Sequence, residues 1–275
     1  MLPITTPVTS RRGGWLALTL LLVAVVAAPV ASAENRLERI AAAGTLRACI
    51  WPDYYGITFR NPKTLELVGI DIDLARELAR DLGVEVRFVD SSFARLIDDV
   101  TADRCDVAMF AIGITPQRAE KLRFTRPYLR SDIYAITTVS NRRIKSWDDI
   151  DQPGIIVAVA RGTYHEPVMR EKLAAATLQV LDTPHAREQE VESGRADVFM
   201  TDFPYSRRML DNADWARLVT SPRPYHLTAY AYAVAPDDAA WLQRVDRFVA
   251  DIRKDGRLLA AARRHQLDPI VVLAD

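Results

Sequence analysis

Two cysteines in 275 residues, four histidines without a shared spacing and no excess charge of either sign leave several function classes without support. Lys and Arg number 36 against 36 Asp and Glu, with no long basic run, so there is no footprint for a phosphate backbone and no nucleic-acid partner is expected. Cys49 and Cys105 form no CxxC, and GxGxxG, the Walker phosphate loop, GxSxG and HExxH are all missing. No metal and no cofactor is therefore expected. His165, His185, His226 and His265 are isolated, and single histidines outside a motif read as surface or hydrogen-bonded structural residues; His165 alone lies at a position of interest.

Long apolar runs are also scarce. The exception follows Arg11 and Arg12, extends from Trp15 to Ala28 and ends near Ala31-Ser32-Ala33, the pattern of an export signal cleaved after Ala33. The run falls short of the roughly 20 residues needed to span a bilayer, which weighs against the alternative of an uncleaved anchor. Ser10-Arg11-Arg12 is similar to a twin-arginine signal, but Gly14 stands where an aromatic is usual, so both export routes stay open. Cleavage of 33 residues would leave 242, with 34 bases against 36 acids and a charge of −2. A periplasmic location without a lipid anchor is expected, since no cysteine follows the cut. An oxidising compartment permits Cys49 and Cys105 to pair, and two separate buried thiols fit the sequence equally well.

What the chain does have is alternation of short apolar runs with amphipathic stretches, the pattern of α/β architecture. Thr45 to Trp51 reads as a strand. Leu74, Leu78 and Leu82 recur at helical spacing before Gly83, and Val84, Val86 and Phe88 alternate as a strand. A helix capped by Ser91 or Ser92, with Phe93, Leu96, Ile97 and Val100 on one face, precedes a strand over Asp106 to Ile112. Thr115-Pro116 is a helix start. Strands are expected over Asp132 to Val139, Ile155 to Ala160, Leu178 to Leu181, Asp197 to Thr201 and Thr228 to Val234, and a last helix places Trp241, Val245, Phe248 and Ile252 together. Two coupled α/β lobes account for this pattern.

Four segments, in order, resemble the family 3 extracellular solute-binding proteins: RLERIAAAGTLRACIWPDYYG, LVGIDIDLARELARDLGVEV, GITPQRAEKLRFTRPYL and GRADVFMTD. The likeness runs from about Arg36 to about Gly256, and its TPxR…FTxPY stretch is the most specific part. The resemblance implies a type II periplasmic-binding-protein fold with a two-segment hinge: signal peptide 1–33, lobe 1 at 34–131, lobe 2 at 132–226 and a return to lobe 1 at 227–275. It implies a monomeric, non-enzymatic receptor for a small amino-acid-like ligand, delivering to an ABC-type permease or reporting to a membrane sensor.

A free amino acid carries a carboxylate and an ammonium, each needing a paired partner when buried. Arg118, in the first turn after a strand end, offers a carboxylate-sized fork, and in the family the matching arginine grips the α-carboxylate; a surface helix arginine is the plain alternative. Gly162-Thr163-Tyr164 opens a helix and could present backbone amides to the same carboxylate, while Thr163 and Glu166 could equally form a capping box. Asp202 matches the aspartate that pairs with the ammonium, or caps the next helix. Tyr54 and Phe93 match ligand-stacking aromatics, or are ordinary core. Asp71 and Asp73 read as capping and fold support.

Departures from the family bear on the ligand. Ala111 and Gly113 stand where most members carry Gly or Ser and, two residues on, Ser or Thr, so a hydroxyl that helps hold the ammonium is missing; Tyr164 replaces a second small hydroxyl residue, Gly56 replaces a proline, and Trp51 occupies the place of an acid found in receptors for Lys, Arg or His. A cationic side chain is disfavoured and a more aromatic pocket expected. The family also contains cyclohexadienyl dehydratases, which act on prephenate or arogenate, and IDQPGI…GTYHE…TD is similar to that branch. Such chemistry needs an acid, for which Glu166 or His165 is placed. A lytic murein enzyme would need a further domain.

Overall fold

Caps and turn residues set the element boundaries in the computed structural model, which describes residues 1–3, 35–183 and 185–274. The export-signal reading falls on residues 4–34 and so lies outside the described residues. Helix α1 (Arg36–Ala43) starts where the Asn35 side chain accepts from the Glu38 amide and stops at Gly44. The chain continues through β1 (Thr45–Ile50), β2 (Asp53–Tyr54), β3 (Thr58–Arg60), β4 (Leu67–Val68), α2 (Ile70–Leu82) and β5 (Glu85–Asp90). Next come α3 (Leu96–Thr101), β6 (Val107–Gly113), α4 (Pro116–Lys121), β7 (Arg123–Phe124) and β8 (Leu129–Ser131). A second group follows: β9 (Tyr134–Thr138), β10 (Ile156–Ala160), α5 (His165–Lys172), β11 (Thr177–Leu181), α6 (Ala186–Glu192), β12 (Val198–Thr201), α7 (Phe203–Asn212) and β13 (Ala216–Val219). The chain closes with β14 (Thr228–Val234), α8 (Ala239–Asp255) and α9 (Arg257–Arg264).

These strands make two main sheets of related design. The first has the order β5-β1-β6-β14-β7, with β8 also on β14; the second is β11-β10-β12-β9-β13. In each, three strands run parallel and one runs antiparallel beside them, the later β14 in the first sheet and the earlier β9 in the second. The chain passes between the sheets twice, after Ser131 and after Val219. All seven residues of β6 are buried, as befits a strand covered on both faces. The shared face predicted for α8 holds: Trp241, Val245, Phe248 and Ile252 are all buried, and the Trp241 indole N–H donates to the Asp106 carbonyl at 2.7 Å. Cys49 in β1 and Cys105, just ahead of the neighbouring β6, form a disulfide with Cα atoms 5.6 Å apart.

One helix begins later than its periodicity predicts. The Ser91 hydroxyl donates to Asp99 at 2.6 Å and Ser92 Oγ accepts from the Arg95 amide at 3.2 Å, so residues 91–95 stay in a turn and α3 starts at Leu96. Phe93 is therefore free of the helix and turns toward the gap between the sheets.

Asp71 does not cap α2, whose N-cap is Gly69 without a side-chain bond. It is fully buried and accepts from Tyr128 Oη at 2.5 Å, Tyr232 Oη at 2.9 Å and the Ala111 amide at 2.9 Å. Burial raises its pKa to about 6 against the lowering effect of those donors. Ala111 has φ +48°, and the pairing of β6 with β14 is irregular there, so Asp71 ties down a bulge in the strand that leads to the cleft. Asp71→Ala, which strands two phenols and an amide, should cost about 3 kcal/mol in urea unfolding; a loss below about 1 kcal/mol would show that Asp71 does not support the bulge.

Candidate functional site

The carboxyl ends of β6, β10 and β12 deliver the predicted residues to the space between the sheets, where open α/β sheets bind ligands. After Gly113, Thr115 Oγ1 accepts from the Arg118 amide at 3.3 Å and Pro116 takes the first helical position, which fixes Arg118 in the opening turn of α4. Arg118 is 5% exposed. Its Nη1 donates to the Gly113 carbonyl at 2.7 Å, its Nη2 crosses to the Gly162 carbonyl at 2.9 Å, and the Phe93 ring lies 5.3 Å below the guanidinium. Among the described residues it has no ion pair. Burial pushes its pKa down to about 10.

Asp202 follows β12 and caps α7 by accepting from the Tyr205 amide at 3.1 Å. Its other oxygen accepts from the hydroxyls of Tyr54 and of Tyr230, the latter at 2.7 Å. Both tyrosines belong to the first-sheet side, so Asp202, from the second, is held across the gap. It is 2% exposed, forms no ion pair among the described residues, and burial raises its pKa against the opposing effect of the tyrosines. A second tie lies farther out, where Arg208 Nη1 reaches the Asp53 carbonyl at 3.2 Å and His185 Nε2 lies 3.0 Å from the Asp53 carboxylate.

The predicted residues form two adjoining groups. Arg118, Gly113, Gly162 and Phe93 are one; Tyr54, Tyr164 and Asp202 are the other. Arg118 lines a groove of about 340 Å³ and Asp202 a cavity of about 10 Å³, and the two spaces share Thr163 and Tyr164. Ala111 lines the smaller one. Gly113 lets the Tyr164 ring approach, since a Cβ there would lie 3.2 Å from it. The Tyr164 hydroxyl is 3.3 Å from that of Tyr230.

The loop after β10 differs from both readings of it. The Thr163 hydroxyl donates to the Ala160 carbonyl at 2.7 Å, the N-cap is Tyr164, and Glu166 accepts from the Gly162 amide at 3.1 Å, so no Thr163–Glu166 capping box forms. The Gly162 and Thr163 amides are already engaged, by Glu166 and by the Ala160 carbonyl, and are not free to bind an anion. Sequence reasoning also passed over Tyr230, Arg187, Thr201 and Tyr205. Tyr230 and Thr201 left a trace, the one as an aromatic in the predicted Thr228 to Val234 strand and the other as the last residue of the predicted Asp197 to Thr201 strand. Arg187 lies in the cavity wall because His185, at φ 61°, turns the chain just before α6.

Comparison with known proteins places this geometry. The description "Bacterial extracellular solute-binding proteins, family 3" matches residues 46–267. The cyclohexadienyl dehydratase of Pseudomonas aeruginosa is 31% identical over 248 residues, 90% of this chain and 91% of that protein. The L-cystine-binding protein TcyJ of Escherichia coli K12 is 25% identical over 84% of this chain and 86% of its own. Among solved structures, the ancestral amino acid-binding protein AncCDT-1, described as a precursor of cyclohexadienyl dehydratase, superposes with a TM-score of 0.76 at 30% identity, covering 83% of this chain and 98% of that one.

Gly162 lies hard against the backbone of the other side: at φ +76°, a Cβ would lie 2.6 Å from Ala94 Cα. Gly194 has nearly the same φ, +77°, with nothing within 4 Å. Gly162→Ala should therefore cost about 1–3 kcal/mol of stability and enlarge the radius of gyration in small-angle scattering, while Gly194→Ala brings backbone strain alone. Equal scattering from the two variants would dismiss the close approach as a control on closure.

Proposed function

The chain belongs to the bacterial extracellular solute-binding proteins, family 3, and from that premise we propose that it is a two-lobed receptor binding a small amino-acid-like zwitterion between its lobes. The ligand's carboxylate goes to Arg118 and its ammonium to Asp202, with Tyr54, Phe93 and Tyr164 as walls. The observation that carries this reading is a guanidinium buried from both sides with carbonyl partners and no anion. A buried charge without a counter-charge is strongly unfavourable, and a bound carboxylate corrects it through two parallel hydrogen bonds. Asp202 presents the complementary case, a buried carboxyl supported by neutral donors that an ammonium can replace. A space of about 10 Å³ holds about one water, so the lobes part to admit an amino acid and close again on contacts that the open form lacks. Exported, such a receptor works in the periplasm and passes its ligand to an ABC-type permease or reports to a membrane sensor.

The dehydratase relative raises an enzymatic alternative. Elimination needs an acid within hydrogen-bond reach of the leaving hydroxyl. Glu166 is occupied by the Gly162 amide and by Arg170 at 3.0 Å, and burial holds the His165 pKa far below its usual value, leaving the ring neutral. These arrangements favour binding without turnover.

Arg118→Met is expected to abolish ligand-induced thermal stabilisation while raising unliganded stability by about 1–3 kcal/mol, as an unpaired buried charge is removed; stabilisation equal to that of the unmodified chain would refute the assignment. Incubation with prephenate or arogenate should yield neither phenylpyruvate nor phenylalanine. Formation of either at enzymatic rates would replace the receptor reading by the dehydratase one.

A further inference from the structure

Beyond the groups assigned to the zwitterion, the cleft holds polar atoms whose bonding is incomplete. His165 is 4% exposed and Thr201 1% exposed. Among the described residues, neither nitrogen of the imidazole nor the Thr201 hydroxyl has a partner in full hydrogen-bond geometry, and the Thr201 backbone acts on the ring without meeting that geometry. All three atoms belong to residues lining one cavity, whose other walls include Trp51, Phe93 and Tyr205. Native proteins leave few buried polar atoms unpaired, because each costs about 1–3 kcal/mol. Three in one cavity wall, beside a binding cleft, call for a ligand.

We propose that His165 and Thr201 form a side-chain subsite that takes an uncharged hydrogen-bonding group of the ligand, a carboxamide or a hydroxyl. The inference rests on the amino-acid reading of the cleft given above. A neutral imidazole presents one N–H donor and one nitrogen acceptor, and a threonine hydroxyl can do either. A group with both a donor and an acceptor satisfies them; an aliphatic side chain leaves all three atoms unpaired, and a site of this kind rejects it.

The surrounding charges argue against an ionic side chain. Arg187 lines the same cavity, but its Nε donates to Glu188 at 3.0 Å and its Nη1 to the Met200 carbonyl at 3.0 Å, with the rings of Tyr205 and Phe199 at 4.3 and 5.0 Å. Its charge is met where it stands. An incoming cation would face Arg187, and an incoming anion would meet a guanidinium already paired with Glu188. His165 adds no charge, since burial, with Arg187, Arg118 and His226 adding to it and the Thr201 backbone opposing it, holds the ring in its neutral form.

The test is calorimetric titration of the full chain with L-glutamine, L-asparagine and L-threonine against L-leucine, L-lysine and L-glutamate. At least one of the first three should bind tenfold or more tightly than each of the second three. His165→Leu should reduce that preference about tenfold, His165→Gln should restore part of it, and Thr201→Val should weaken it in the same direction. The unliganded Tm of His165→Leu should be unchanged or higher, because an unpaired buried group is lost; a structural histidine would give the opposite. Equal or tighter binding of leucine, lysine or glutamate, a preference untouched in His165→Leu, or a fall in its unliganded Tm overturns the subsite while leaving the amino-acid reading in place. Binding of none of the six overturns that reading and the subsite with it.

Discussion

A guanidinium held in the interior without an anion is the constraint around which the cleft is arranged. Among the described residues, the Arg118 guanidinium is bonded only to two carbonyls, one from each side of the cleft. Carbonyl dipoles soften the loss of water but do not neutralise a charge, and the depressed pKa of Arg118 expresses the remainder. The arrangement is tolerated because the surrounding fold fixes it: Thr115 and Pro116 start the helix and the Phe93 ring covers the cation. Asp202 shows the same design with the sign reversed. Opposite charges supported separately by neutral groups leave each available to the matching pole of a zwitterion, which a direct Arg–Asp pair would not.

The support for that arrangement begins well away from the cleft. Asp71, at the start of α2, accepts from the Ala111 amide and from two tyrosines, one of them on the neighbouring strand β14. It thereby stabilises a positive-φ residue and the irregular pairing that turns the end of β6. Gly113 and Arg118 follow within seven residues. A carboxyl whose own titration is shifted upward by burial thus helps to place the buried guanidinium of Arg118.

How far the sequence reveals this depends on whether the signal is local. Helix starts at Thr115-Pro116, the apolar face of α8 and the β14 strand follow from spacing and caps, and the structure agrees with them. Arg118 and Asp202 were named from a motif likeness supported by strand-end positions. Residues 91–95 were misread because two serines that resemble caps bond elsewhere, one to Asp99 and one to a turn. The loop at 162–166 was misread for a similar reason: Thr163 turns back to Ala160 and Glu166 reaches past it to Gly162. In both places a hydroxyl or carboxylate chose among several nearby backbone groups, and tertiary contacts decided between them. Arg187 carries no local signal and Thr201 shows only as a strand end, because their place in one cavity wall arises when α6 and β12 are packed together.

The same logic separates residues that stabilise the fold from those kept for another purpose. Asp71 and Trp241 have every prominent polar atom bonded, and their burial strengthens the structure. His165 and Thr201 are nearly as deeply buried, yet among the described residues their side-chain polar atoms have no partner in hydrogen-bond geometry. An apolar residue in either place would be at least as stable, since a hydrogen-bonding group without a partner weakens a core. Arg118 belongs with them, as a charge that a methionine could replace to the benefit of the unliganded fold. All three converge on the space between the two sheets. Stability alone does not account for that concentration of unfavourable groups in one place, whereas a ligand that completes their bonding does.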